Sequence, residues 1–212
     1  VVFPKKSQED PRKESYKIDP ESIQIEEAIP ADKYGWFNRS VPVFKNSYYS
    51  FNSVEQLIAE NRSKKTSMGF VKPASIERIY LEERPQEDYD TFIRKMSENQ
   101  DRRRQVPLFD EVSVAELKSL RYLSQRFKIH WKCQDPGCKG HKMSVLDWEL
   151  YELVRNVGTE KAMEKLKQTV NLEQHSVGFF LGNFKLHPNN FAIGGIWYPK
   201  KSHLAPNLRL FD

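Results

Sequence analysis

The segment Cys133-Gln-Asp-Pro-Gly-Cys138-Lys-Gly-His141 constrains the fold more than any other local feature. It places two thiols and an imidazole on one short stretch, and Pro136, Gly137 and Gly140 allow that stretch to turn tightly. Thiolate and imidazole ligands suit a tetrahedral zinc ion, so zinc is the expected cofactor, in a structural rather than a catalytic role. A structural site wants four ligands, and Cys133, Cys138 and His141 supply three. His130 would complete a symmetrical His-x2-Cys-x4-Cys-x2-His. However, Arg126-Phe-Lys-Ile-His-Trp-Lys-Cys133 alternates as a strand, which turns His130 and Cys133 to opposite faces unless the strand bends. His175, His187 or His203 arriving from elsewhere, or a water, are the other candidates for the fourth position. The competing reading is a pair of thiols and a histidine in a Gly/Pro loop without a metal.

These two cysteines are the only ones in the chain. A secreted scaffold held by disulfides would carry more, so a reducing cytoplasm is expected. The longest apolar runs fall short of the roughly 18 residues of a membrane span, and the start has no signal-peptide core. The chain begins Val1-Val2-Phe3 without a methionine, which suggests a processed or shortened form. The formal charge is +5, and the excess is C-terminal: residues 121–212 hold 14 Lys/Arg against 8 Asp/Glu. That surplus suits phosphate contacts, although many basic domains bind no nucleic acid.

Patterning predicts an α+β fold: a small mixed N-terminal region, then a strand, the Cys/His loop, two helices and a β-hairpin. Residues 1–22 read as an extended or mobile lead-in and residues 23–82 as a small α+β region. In that region Ser22-Ile-Gln-Ile-Glu26 alternates like a strand, and an aromatic loop with Tyr34, Trp36 and Phe37 lies between Pro30 and Pro42. Ser53-Val-Glu-Gln56 has capping-box spacing and opens a helix. Met68-Gly-Phe-Val71 and Ser75-Ile-Glu-Arg-Ile-Tyr-Leu81 read as strands of one sheet. Residues 83–107 are charged and poor in large apolar side chains, which marks a linker, and residues 108–212 form the second region. There Ser113-Val-Ala-Glu116 caps a short helix. Helices follow around Val145–Val154 and after Thr159, then two strands turning at His187-Pro-Asn-Asn190.

No familiar catalytic motif accompanies the cluster, so a binding protein is expected ahead of an enzyme. Asp147 and Glu149 could hold a divalent ion for phosphodiester hydrolysis, with His187 as general acid or base. The stronger reading makes them the first turn of a helix, in a capping box with Ser144 and favoured by the helix dipole. Gly182, Asn183, Gly194 and Gly195 lie among hairpin aromatics, where glycine marks either close approach or ordinary packing. Lys139, Lys142, Lys185, Lys200 and Lys201 are the expected phosphate contacts. Two helices followed by a hairpin also match the order of parts in a winged-helix DNA reader, a fold-level analogy.

Gln105-Val-Pro-Leu-Phe109 resembles the short peptide by which bacterial DNA-processing proteins dock on the sliding clamp. In that mode Gln105 would make hydrogen bonds while Leu108 and Phe109 fill a pocket. Asn207-Leu-Arg-Leu-Phe211 is a second approximate match. Ser15-Tyr16, Ser67-Met-Gly-Phe-Val-Lys-Pro73, Leu108-Phe-Asp110, Cys133 through Glu149 and Phe179-Phe-Leu-Gly-Asn183 together resemble an uncharacterised prokaryotic family of hypothetical proteins, over most of the chain. That resemblance implies an additional N-terminal segment but no established activity. It marks Cys133, Cys138, His141, Asp147, Trp148, Glu149, Gly182 and Asn183 as positions of interest. The expected function is a zinc-containing nucleic-acid-binding protein of prokaryotic DNA metabolism or defence. A metal-dependent hydrolase and a clamp-binding interaction module are the alternatives.

Overall fold

Helices begin where a side chain accepts from the first free backbone N–H groups, and three helix starts among the described residues follow that rule. The computed structural model describes residues 4–6, 10–19, 22–25, 28–30, 32–44, 49–104 and 122–203. Helix α1 (Lys33–Phe44) follows Asp32, whose Oδ1 accepts from the Gly35 N–H at 2.7 Å. Ahead of α2 (Val54–Lys64), Ser53 Oγ accepts from the Gln56 N–H at 3.1 Å, and Gln56 Oε1 accepts from the Asn52 N–H at 3.0 Å. Helix α3 spans Gln86–Arg104. Asp147 caps α4 (Trp148–Val157), and Gly158 separates it from α5 (Thr159–Thr169) with a φ of 88° that favours glycine.

The strands in chain order are β1 (Pro4–Lys6), β2 (Tyr16–Ile18), β3 (Ser50–Phe51), β4 (Met68–Val71), β5 (Pro73–Glu83), β6 (Gln125–Cys133), β7 (His141–Ser144), β8 (Gly178–Phe184) and β9 (His187–Trp197). β1 and β2 pair antiparallel. One sheet has the order β3-β4-β8-β9, with β3 parallel to β4 and the other pairs antiparallel. The other has the order β5-β6-β7. The architecture is therefore α+β.

The chain divides into two compact units, one comprising the described residues up to Ile79 and from Ile129, the other Tyr80–Lys128. In the first, Trp36 of α1, Phe70 of β4 and Trp197 of β9 are buried together against Phe44, Phe180 and Tyr198. The rings meet edge to face, Trp36 on Trp197 at 5.0 Å and Phe44 on Phe70 at 5.2 Å, the geometry the ring quadrupole favours. Gly178 is required by this packing, because a Cβ there would lie 2.0 Å from the Phe70 ring. Fully buried Trp131 packs on Phe179 at 4.9 Å. Burying each such ring contributes about 1.5–3 kcal/mol. In the second unit, Tyr89 and Phe92 of α3 pack on Tyr122, and Arg126 and Lys128 pair with Glu82 at 2.6 and 3.0 Å.

Several elements differ from the sequence reading. Residues 22–25 form no strand, and the aromatic loop is α1, because Asp32 caps a turn whose Trp36 is drawn into the core. β4 and β5 enter different sheets. The charged segment expected as a linker carries α3, 19 residues rich in good helix formers. The hairpin turns at Lys185 and Leu186, so His187–Asn190 open β9 instead of forming the turn. Asp147, rather than Ser144, is the N-cap of α4. The expected helix at Ser113 and both clamp-like peptides, with Gln105, Leu108 and Phe109, lie outside the described residues. Among the described residues, no helix is long and apolar enough to cross a membrane.

Candidate metal centre

Strand alternation sets the first ligand. Along β6, Phe127, Ile129, Trp131 and Cys133 are buried while the residues between them are more exposed, so Cys133 points inward from the end of the strand. The chain then turns on Asp135, whose carbonyl accepts from the Cys138 N–H at 3.0 Å and whose Oδ1 accepts from the Gly137 N–H at 2.8 Å. Gly140, at φ 95°, completes the turn and donates its N–H to Cys138 Sγ at 3.4 Å. His141, the first residue of β7, then faces back. The ligand atoms of Cys133, Cys138 and His141 all lie within 4.8 Å of one another, close enough to hold one metal ion. Cys138 Sγ and His141 Nε2 are 3.2 Å apart.

A further side chain reaches this cluster from α2. Glu55 Oε2 lies 3.7 Å from Cys133 Sγ, and Glu55 Oε1 lies 3.7 Å from His141 Nε2. A tetrahedral ion with bonds of about 2.3 Å to sulfur and about 2.0 Å to nitrogen or oxygen holds its ligand atoms about 3.3–3.8 Å apart. Each Glu55 oxygen thus lies near one such edge length from a different member of the cluster, Oε2 from Cys133 and Oε1 from His141, while the atoms that all converge are those of Cys133, Cys138 and His141. The N-terminus of α2 serves the same corner, because the backbone N–H groups of Asp135 and Val54 bond Cys133 sulfur and favour its thiolate. Burial acts against them and pushes the thiol up on balance. Burial also pushes the His141 imidazole down despite the Glu55 charge, leaving it a neutral ligand near neutral pH.

The other histidines are arranged differently. His130 sits on the opposite face of β6 from Cys133, with its Nε2 only 2.7 Å from where a Gly140 Cβ would lie. It lies against the Gly140 turn and is not among the residues whose ligand atoms converge. His175 bridges to Lys200 and stacks near Tyr198, His203 ends a 3-10 turn, and His187 is exposed at the start of β9. Glu55 is the residue that sequence reading missed. The capping signal located the start of α2, but nothing local indicated that this start meets Cys133, 78 positions away.

Asp147 and Glu149 share a concavity of about 220 Å³ with Lys165 and Tyr198. Asp147 Oδ1 accepts from the Leu150 N–H at 3.1 Å, the expected capping bond. Burial, then the Glu149 and Asp147 charges, push the Tyr198 hydroxyl up. His187 does not line this concavity. Lys139, Lys142, Lys185, Lys200 and Lys201 are all exposed, the first in the metal loop and the second on β7.

Residues 50–212 match a family described as a domain of unknown function (DUF8757). The chain belongs to this family. The match to DUF8757 takes in Glu55, the Cys/His loop and the β8–β9 hairpin together. No curated protein and no solved structure gives a match.

Proposed function

We propose that the protein is a zinc-containing nucleic-acid-binding protein in which the ion ties the start of α2 to the β6–β7 loop. The observation that carries this reading is the convergence of two thiols and one imidazole within 4.8 Å, with the Glu55 carboxylate 3.7 Å from Cys133 and from His141. Two thiolates and an imidazole favour zinc over hard cations such as Mg²⁺, which prefer all-oxygen shells. Four protein ligands would leave no open coordination position, as in structural sites. The nucleic-acid part is supported by the C-terminal basic surplus and by exposed Lys139 and Lys142 beside the centre.

Elemental mass spectrometry of the untagged protein tests the metal, with near-stoichiometric zinc expected and its loss in Cys133→Ser and Cys138→Ser. Metal-free, stably folded wild-type protein would overturn that part. Binding to nucleic acid should weaken steeply with salt, and salt-independent or absent binding would remove the second part.

The hydrolase reading draws on Asp147 and Glu149 sharing one concavity with Lys165. Asp147→Asn discriminates: abolished cleavage in a folded variant favours the enzyme, whereas Asn caps a helix nearly as well as Asp and should leave a binding protein intact.

A further inference from the structure

Glycines in this fold are of two kinds. Gly69 and Gly178 are demanded by packing, since a Cβ at either would lie 2.8 Å from Leu57 or 2.0 Å from Phe70. Gly182, Gly194 and Gly195 are not, because a Cβ there would meet its nearest neighbour at 4.0, 3.7 and 3.5 Å, ordinary contact distances. None of the three has a positive φ. Glycine inside a strand weakens it, so its presence without a packing reason points to something outside the chain that needs the space. The three lie together on β8 and β9, across the register shift that bulges the hairpin at Gly194. They form the floor of one concavity of about 600 Å³, walled by Tyr16, Met68 and Phe180 and also lined by Arg12 and by Glu14, whose Oε2 accepts from the Ser67 N–H and hydroxyl. That volume is within the range of small-ligand sites.

A second concavity, of about 340 Å³, adjoins it. Arg12 lines both. At their shared edge Arg12 donates to the Asn183 carbonyl at 3.1 Å and Asn183 Nδ2 donates to the Pro188 carbonyl at 2.6 Å. Arg62, Lys65 and Lys185 line this second space, and no carboxylate among the described residues does. Among the described residues these three cations have no carboxylate partner, unlike Arg12, which is paired with Asp10. One space thus offers a flat floor beside an aromatic ring and a thioether, with the Glu14 carboxylate engaged by Ser67, and the other offers the cations Arg62, Lys65 and Lys185.

We propose that the two concavities are one nucleoside phosphate site: the base lies on the glycine floor against Phe180 and Tyr16, and the phosphate faces Arg62, Lys65 and Lys185. A planar ring stacks on aromatic side chains and bare peptide planes without sequence preference, and a phosphate is held at the adjoining edge by charge. This deepens, and in its polymer form rests on, the nucleic-acid reading. The nucleoside phosphate is either one unit of a single strand or a free nucleotide.

Calorimetry on the whole chain separates these cases, with adenosine 5′-monophosphate, inorganic phosphate and a short single-stranded oligothymidylate as probes. The nucleotide should bind more tightly than inorganic phosphate. Gly182→Val should weaken nucleotide and oligothymidylate about tenfold, the scale of one lost stacked base, with an unchanged thermal midpoint. Lys185→Glu should weaken all three probes. Gly194→Ala supplies the same floor test should Gly182→Val fail to fold. Nucleotide binding no tighter than phosphate, or oligothymidylate affinity unchanged in the folded floor variants, overturns this inference, while wild-type strand binding still upholds the nucleic-acid reading. Nucleotide binding without strand binding upholds the site and removes that reading. Binding of neither removes both.

Discussion

Two groups of reactive side chains flank β7, and they differ in where their lone pairs go. At Cys133, Cys138 and His141, the ligating atoms lie within 4.8 Å of one another, and the two Glu55 oxygens approach Cys133 and His141 at 3.7 Å each. At Asp147, the carboxylate faces the open end of α4 and is occupied by the Leu150 N–H. Both groups look chemical in the sequence, being short runs of titratable residues. The difference teaches that a cap turns its polar atoms toward its own backbone, whereas a group able to hold a metal ion turns them toward a common point.

Removing a ligand from the first group should have the largest effect. If zinc is bound at about a thousand times its dissociation constant, it stabilises the fold by about 4 kcal/mol, or roughly 10 °C in a chain of this size. Chelation and Cys133→Ser should each lower the midpoint by about that much in calorimetry, and the two together by no more than either alone. Additive losses would show that the thiol acts through packing.

Glu55→Gln comes next. It keeps the shape but removes the charge, and should weaken zinc about tenfold to a hundredfold in competition with a chelator, equivalent to about 1.4–2.7 kcal/mol. Undiminished affinity would reduce the centre to three protein ligands. Asp147→Ala should cost about 1 kcal/mol of stability and leave the metal content unchanged. Loss of metal in that variant would break the contrast between the two groups.

Asp10 extends the comparison to a carboxylate that is fully bonded by its own neighbours. Arg12 and then Ser15 hold its carboxyl far below the usual range. A depressed carboxyl contributes stability that is fully present above its unfolded value of about 3.9 and is lost as pH falls toward the folded one. Acid unfolding of the wild type should therefore have a component below about pH 4 that Asp10→Asn lacks. This effect is the smallest, because it concerns one carboxylate bonded by neighbours two and five residues away.

Much of the local structure was legible. Ser53 and Gln56 announced α2, alternation in β6 placed Cys133 and His130 on opposite faces, and the Pro/Gly spacing foretold the tight Cys/His loop. The misreadings share a cause. Pro30, Pro42 and three aromatics suggested a loop where α1 forms, because burial of Trp36 beside Trp197 outweighs local punctuation. Charge density suggested a linker where α3 packs Tyr89 and Phe92 on Tyr122.

By itself the sequence determined what depends on neighbours a few residues apart: helix caps, strand alternation, a loop with three metal-binding groups and a basic C-terminal half. Those follow from hydrogen bonds and periodicities that close within a turn or two of chain. Only the tertiary structure decided which distant groups meet. It brought Glu55 to Cys133, gave Asp147 to the α4 N-terminus, and joined Arg12, Lys65 and Lys185 around a cavity beside a glycine floor. Such meetings depend on how buried faces pack across the whole unit, and no short stretch of sequence encodes that.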